Sequence, residues 1–185
     1  RIEALMTPNT RVVFVESPGS LAFDVQDVPA IAAVAHRHGA RVVLDNSWAT
    51  PLGFRSFDHG VDVSVHAATK YIGGHSDVLS GVIVCNEATS AAIHRVWTDI
   101  GVTASSDDCF LALRGLRTLS VRLARHQETG LKLARWLQGR PEVDAHRIGV
   151  IGHSVGAGAA LLMAAHNATV AGVVSLAAFA HPATM

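Results

Sequence analysis

Arg41-Val-Val-Leu-Asp45 and Val61-Asp-Val-Ser-Val65, the second running directly into His66-Ala-Ala-Thr-Lys70, decide how this chain folds. Both five-residue runs are short, β-branched and largely apolar, which suits strands buried inside a sheet. Upstream, Arg11-Val-Val-Phe-Val-Glu16 is a third such run, closed by Ser17-Pro18-Gly19 as a turn. Between that run and Arg41–Asp45, Asp27 precedes Val28-Pro29, an N-cap with proline just inside the first turn. Ile31, Val34 and Ala35 then follow at helical spacing as far as Gly39. Strands alternating with a helix in this way predict an α/β fold, a mostly parallel sheet covered by helices.

Working outward, residues 79–85 read as a further strand, residues 87–97 as a helix and residues 107–138 as one long helical stretch. Gly139-Arg-Pro141 breaks that helix, and a domain boundary is expected close behind it, dividing residues 1–143 from 144–185. Past the boundary come a strand at Arg147-Ile-Gly-Val-Ile151, a small-residue helix over 157–166 and another strand over 170–176.

Of the 185 residues 49% are hydrophobic and only 16% charged, with a mean hydropathy of +0.31. This length suits one domain and a fragment of a second. Lys and Arg number 15, as do Asp and Glu, so no basic field exists to neutralise a phosphate backbone and nucleic-acid binding is not expected. No charged residue falls in 148–185, yet Gly, His166 and Asn167 interrupt that tail and no membrane span is expected. Cys85 and Cys109 are too few and too far apart for a disulfide framework, which favours a reducing, cytoplasmic setting. The eleven histidines are scattered, with no HExxH pair, so no metal site is expected. Residues 1–10 lack a basic start followed by an apolar core; no signal peptide is expected. With no initiator Met, a further segment is expected upstream.

The chemistry concentrates on Asp45 and Lys70. A carboxylate at the carboxyl end of a parallel strand faces the crevice in which α/β sheets bind ligands, and a lysine on the next glycine-flanked loop can reach the same crevice. An acid and an amine so placed suit an aldehyde cofactor on a pyridine ring: the amine condenses with the aldehyde and the acid keeps the ring nitrogen protonated. On spacing alone, such a pair is more often two surface residues or an ordinary ion pair.

Four longer strings go further. They are Glu16-Ser-Pro-Gly19, Asp45-Asn-Ser-Trp-Ala-Thr-Pro51, Ala68-Thr-Lys-Tyr-Ile-Gly-Gly-His-Ser-Asp77 and Leu113-Arg-Gly-Leu-Arg-Thr-Leu119. In these strings, over residues 5–143, the sequence resembles the cystathionine γ-synthase/lyase family of fold-type-I pyridoxal phosphate enzymes. Trp48, Ala67 and Val121-Arg-Leu-Ala-Arg-His126 look most like its bacterial cystathionine β-lyase branch. The resemblance implies pyridoxal 5'-phosphate as cofactor, Lys70 as the residue that bonds it and then moves the substrate Cα proton, Asp45 as partner of the ring nitrogen, and Thr69 as a phosphate contact. Ala67 stands where many relatives carry a phosphate-binding serine. The implied reaction is β-elimination of a small amino-acid thioether, cystathionine giving homocysteine, pyruvate and ammonia, in a homo-oligomer where the full family domain is present. Asn46 and Ser47 are expected to support the Asp45 loop, and the arginines between Arg114 and Arg125 to form a solvated helix face. The family's phosphate loop, ring-stacking aromatic and interface Tyr and Arg are expected before Arg1, and its carboxylate-binding domain after Val143.

Residues 144–185 resemble another family. Gly152-His-Ser-Val-Gly156 matches GxSxG between two predicted strands, as around the nucleophile of an α/β-hydrolase. That resemblance implies Ser154 as nucleophile and the Val155 N–H as an oxyanion donor; His181 is more simply an incidental histidine. A serine esterase acting through Ser154 and a non-catalytic fusion fragment are therefore the alternatives to the lyase reading.

Overall fold

The computed structural model describes residues 2–20, 24–141, 148–153 and 170–176. They fall into two compact units, Arg1–Gly19 with Asp24–Arg117 and Ser20–Phe23 with Thr118–Met185.

The first unit is built on a four-stranded sheet: β1 (Val12–Glu16), β2 (Arg41–Asp45), β3 (Val63–Ala67) and β4 (Gly81–Cys85), in that spatial order. β1, β2 and β3 run parallel, and β4 is antiparallel to β3. The first two strands lie within a residue of their sequence prediction. β3 starts two residues later than 61–65: the Val42 N–H is taken by the Asp62 side chain, while the Asp62 N–H donates to the Val42 carbonyl at 2.9 Å. Asp62 is 2% exposed, and its carboxylate accepts hydrogen bonds from the Val42 N–H (2.8 Å), His36 Nε2 (2.9 Å), Asn86 Nδ2 (3.0 Å) and Arg41 Nη1 (3.3 Å). Burial alone would raise the pKa of this carboxyl; the Val42, His36 and Asn86 bonds outweigh it and hold the group below the usual range.

α1 (Val28–Arg37) forms as its sequence predicts: Asp27 caps it through the Ala30 N–H at 3.1 Å, and proline occupies the first turn. Its buried residues Val28, Ala32 and Ala35 pack with Val15, Val42, Leu44, Ala40 and Val61 to make the core. Full burial of a Val or Leu side chain contributes roughly 1.5–3 kcal/mol, so Val42 and Leu44, both 0% exposed, anchor the sheet to this helix. Val12 and Phe14 on β1 and Ile83 on β4 occupy the other face and are exposed.

After β2 the chain makes a short helix, α2 (Thr50–Gly53), and after β4 the helix α3 (Glu87–Ile100), capped by Asn86. The stretch predicted as a single helix over 107–138 is two, α4 (Ser106–Leu116) and α5 (Leu119–Gln138). The break falls at Arg117 and Thr118, the latter out of helical geometry at φ −108° and ψ 2°.

In the second unit α5 ends at Gly139, as the Gly-Arg-Pro string predicts. Its pairs Arg125–Glu128 and Lys132–Glu128 are exposed. β5 (Ile148–His153) and β6 (Val170–Leu176) form a parallel pair close to their predicted positions. The helix predicted over 157–166 lies outside the described residues.

Candidate active site

Three parallel strands ending together make one edge of the sheet, and the candidate residues lie along it. Glu16, Asp45 and Val65 occupy one row across β1, β2 and β3, with Ile83 of β4 completing it. Asp45 is the last residue of β2, and Lys70 sits on the turn that follows the last residue of β3. This is the carboxyl edge, where open α/β sheets bind ligands.

Hydrogen bonds tie the two loops together. The Ser47 N–H donates to Asp45 Oδ1 (2.9 Å), while Ser47 Oγ accepts from the Ala67 N–H (2.6 Å). The Ala67 carbonyl in turn accepts from the Lys70 N–H at 2.9 Å. Asn46, 1% exposed, donates through Nδ2 to the Thr50 carbonyl (3.3 Å) and the Phe54 carbonyl (2.9 Å), closing the loop on itself. Thr50 is held there at φ +60°, a conformation that costs a β-branched residue about 1–3 kcal/mol. The supporting roles expected of Asn46 and Ser47 thus correspond to specific bonds.

Lys70 is half-buried, and burial pushes its amine below the usual lysine range. A larger fraction is therefore neutral and nucleophilic near pH 7 than for a surface lysine. His66, buried on β3 and hydrogen-bonded to Ser64 Oγ at 3.1 Å, has its pKa lowered by burial; the Asp45 charge and an Asn46 main-chain bond offset part of this. Burial likewise raises the phenol of Tyr71.

Thr69 has partners of its own. Its hydroxyl donates to the Ser80 carbonyl (3.2 Å) and accepts from the Ser80 N–H (3.0 Å), pinning the turn to the approach to β4. Donating to a phosphate oxygen would require it to leave the Ser80 carbonyl, and Ala67 offers no hydroxyl in its place. The donor set nevertheless fits pyridoxal phosphate at its two reactive points: a carboxylate for the ring nitrogen and a desolvated amine for the aldehyde.

One element of the site escaped sequence reading. A Cβ on Gly115 of α4 would lie 2.1 Å from the Ile72 carbonyl oxygen and 2.2 Å from that of Gly73, so only glycine lets α4 approach the turn carrying Lys70. Beside it Arg114 Nη2 pairs with Asp77 Oδ2 while the arginine stays exposed, in keeping with a solvated helix face. The two strings 68–77 and 113–119 had already marked both partners, but not that they touch. Ser154, Val155 and His181, the residues of the hydrolase reading, lie outside the described residues.

The family model for Cys/Met metabolism PLP-dependent enzymes matches residues 1–177. A Rhizobium johnstonii protein provisionally named a cystathionine beta-lyase is 51% identical over 142 residues, 77% of this chain and 36% of that protein. An L-alanine/L-glutamate racemase of Wolbachia pipientis is 42% identical over 142 residues, 77% of this chain and 35% of its own. Among solved structures, cystathionine gamma-lyase from Lactobacillus plantarum complexed with L-serine superposes with a TM-score of 0.70 at 33% identity, over 76% of this chain and 37% of the other. The chain thus spans about a third of the length of these relatives. The family match runs past residue 143 and takes in β5 and β6.

Proposed function

The chain belongs to the Cys/Met metabolism PLP-dependent enzyme family, and from that premise we propose that it carries the cofactor-binding core of a carbon–sulfur lyase. Its reaction is β-elimination, in which cystathionine and water give homocysteine, pyruvate and ammonia. The observation that carries this reading is the pairing of Asp45 and Lys70 at the carboxyl ends of adjacent parallel strands, joined through Ser47 and Ala67.

Pyridoxal phosphate, when bound, supplies the electron sink for the pair left behind at the substrate Cα. Asp45 would hold the ring nitrogen through its carboxylate, and Lys70 Nζ would hold the aldehyde end of the group. Once free, Nζ would accept the substrate Cα proton, and the sulfur on Cβ would leave as a thiolate. Burial lowers the pKa of this amine, which raises its neutral, nucleophilic fraction relative to a surface lysine.

The choice of β-elimination over the other chemistry of the family is supported by the Rhizobium relative and by Trp48 and Ala67. Product analysis tests it. With pyridoxal phosphate and cystathionine, the chain is expected to release pyruvate and free homocysteine in equal amounts. Release of 2-oxobutyrate with cysteine would assign γ-elimination instead, and inversion of an amino acid without thiol release would assign racemisation.

We also propose a boundary after residue 143, with a hydrolase-like segment over 144–185. The Gly152–Gly156 pentapeptide and the parallel β5–β6 pair support it. Labelling of Ser154 by a fluorophosphonate is the expected result, and labelling unchanged in Ser154→Ala would refute it.

A further inference from the structure

The two functional side chains stand on opposite sides of a fork. β2 and β3 pair in register as far as Asp45 and Val65, and the Asn46 N–H extends the ladder by one bond to the Val65 carbonyl at 2.9 Å. In a continued parallel ladder the Ala67 N–H would next donate to the Asn46 carbonyl. That carbonyl is already used, since the chain has turned and it accepts from the Thr50 N–H at 2.9 Å. Ser47 Oγ takes its place as the acceptor for Ala67, at 2.6 Å.

One side chain therefore stitches the strands where they part. On one side of the stitch the Ser47 N–H holds Asp45 Oδ1 at 2.9 Å; on the other the Ala67 carbonyl holds the Lys70 N–H, also at 2.9 Å. We propose that Ser47 is a positioning residue that fixes the Asp45 carboxylate relative to the turn bearing Lys70, so that both ends of one cofactor meet their partners at once. This rests on the reading of Asp45 and Lys70 given above. It extends that reading to a residue that need not touch the cofactor. The hydroxyl does the work, so threonine should serve and alanine should not. Loss of the stitch leaves the local Ser47 N–H to Asp45 bond intact but lets the fork open.

The test compares the wild-type chain with Ser47→Ala and Ser47→Thr in two measurements. Amide hydrogen exchange, read by NMR without added cofactor, is expected to run at least tenfold faster at Ala67 in Ser47→Ala and close to the wild-type rate in Ser47→Thr. Titration with pyridoxal phosphate, followed by visible absorbance, is expected to need at least tenfold more cofactor for half-saturation in the alanine variant. The pH midpoint of that absorbance should move by about half a unit or more, and threonine should restore both values. Should the alanine variant fail to fold, Ser47→Cys carries the same comparison with a weaker acceptor at the same position. The proposal is overturned if Ala67 exchanges at the wild-type rate in Ser47→Ala, or if that variant merely melts lower while half-saturation and pH midpoint stay unchanged. Failure of the wild-type chain to take up pyridoxal phosphate on Lys70 is a separate result that defeats the lyase reading, and this role of Ser47 with it.

Discussion

Replacing Asp62 by asparagine removes one of two carboxylate oxygens from a cluster that offers them only donors. Oδ2 accepts from the Val42 N–H and His36, and Oδ1 from Asn86 and Arg41, so whichever oxygen becomes an NH2 group faces donors across a hydrogen-bond distance. A buried donor left without its acceptor costs about 1–3 kcal/mol. The Val42 N–H and the Asn86 amide set the scale, whereas His36 and Arg41 are 42% and 52% exposed and can turn to water, so their share is discounted. The expected loss is about 2–4 kcal/mol, roughly 5–15 °C in melting temperature at this chain length. The pH dependence carries the sharper signature. Because the folded carboxyl titrates below its unfolded value near about 3.9, the stabilisation is complete above that value and is lost as pH falls through the lower folded one. Urea unfolding at a series of pH values should therefore show a gap between wild type and Asp62→Asn that is constant from about pH 5 upward and closes toward pH 3. Melting within about 1 °C of wild type at pH 7, or a gap that persists unchanged in acid, would refute the reasoning.

His66 acts in a different pH window. Its folded pKa is depressed, so the unfolded chain takes up the proton first, and stability should fall as pH drops below about 6.5; the slope of unfolding free energy against pH in that range should flatten in His66→Gln. Gly115→Ala must push α4 off the Ile72 and Gly73 carbonyls and should cost about 2–3 kcal/mol by denaturant titration. Gly53→Ala, where the added Cβ meets only the Ala49 Cβ at 3.6 Å, should stay within about 1 kcal/mol of wild type by the same titration. Asp45→Ala removes the acid proposed to charge the ring nitrogen and should abolish pyruvate release while leaving the cofactor trappable on Lys70, as peptide mass mapping after borohydride would show.

The strands of the first unit were legible because each is a compact β-branched run with turn signals at its ends, and α1 because Asp27 and Pro29 announce its start. What escaped depended on partners distant in sequence. Asp62 looks like one polar residue in an apolar run, and only the fold brings His36, Arg41 and Asn86 around it. Gly115 meets a backbone more than forty residues away, a contact that helical periodicity cannot register. The candidate site is legible in the same partial way: Asp45 and Lys70 are proposed from their strings and strand ends, whereas the Ser47 bond that joins their loops is a tertiary fact, as is the hold of Ser80 on the Thr69 hydroxyl.

The most direct measurement is mass mapping of the chain after incubation with pyridoxal phosphate and reduction with borohydride. One phosphopyridoxyl group on Lys70, absent from Lys70→Ala, is the expected result. A modified peptide centred on Lys132, or no modification while the chain remains folded, would contradict the proposal that Lys70 and the loops after β2 and β3 hold the cofactor.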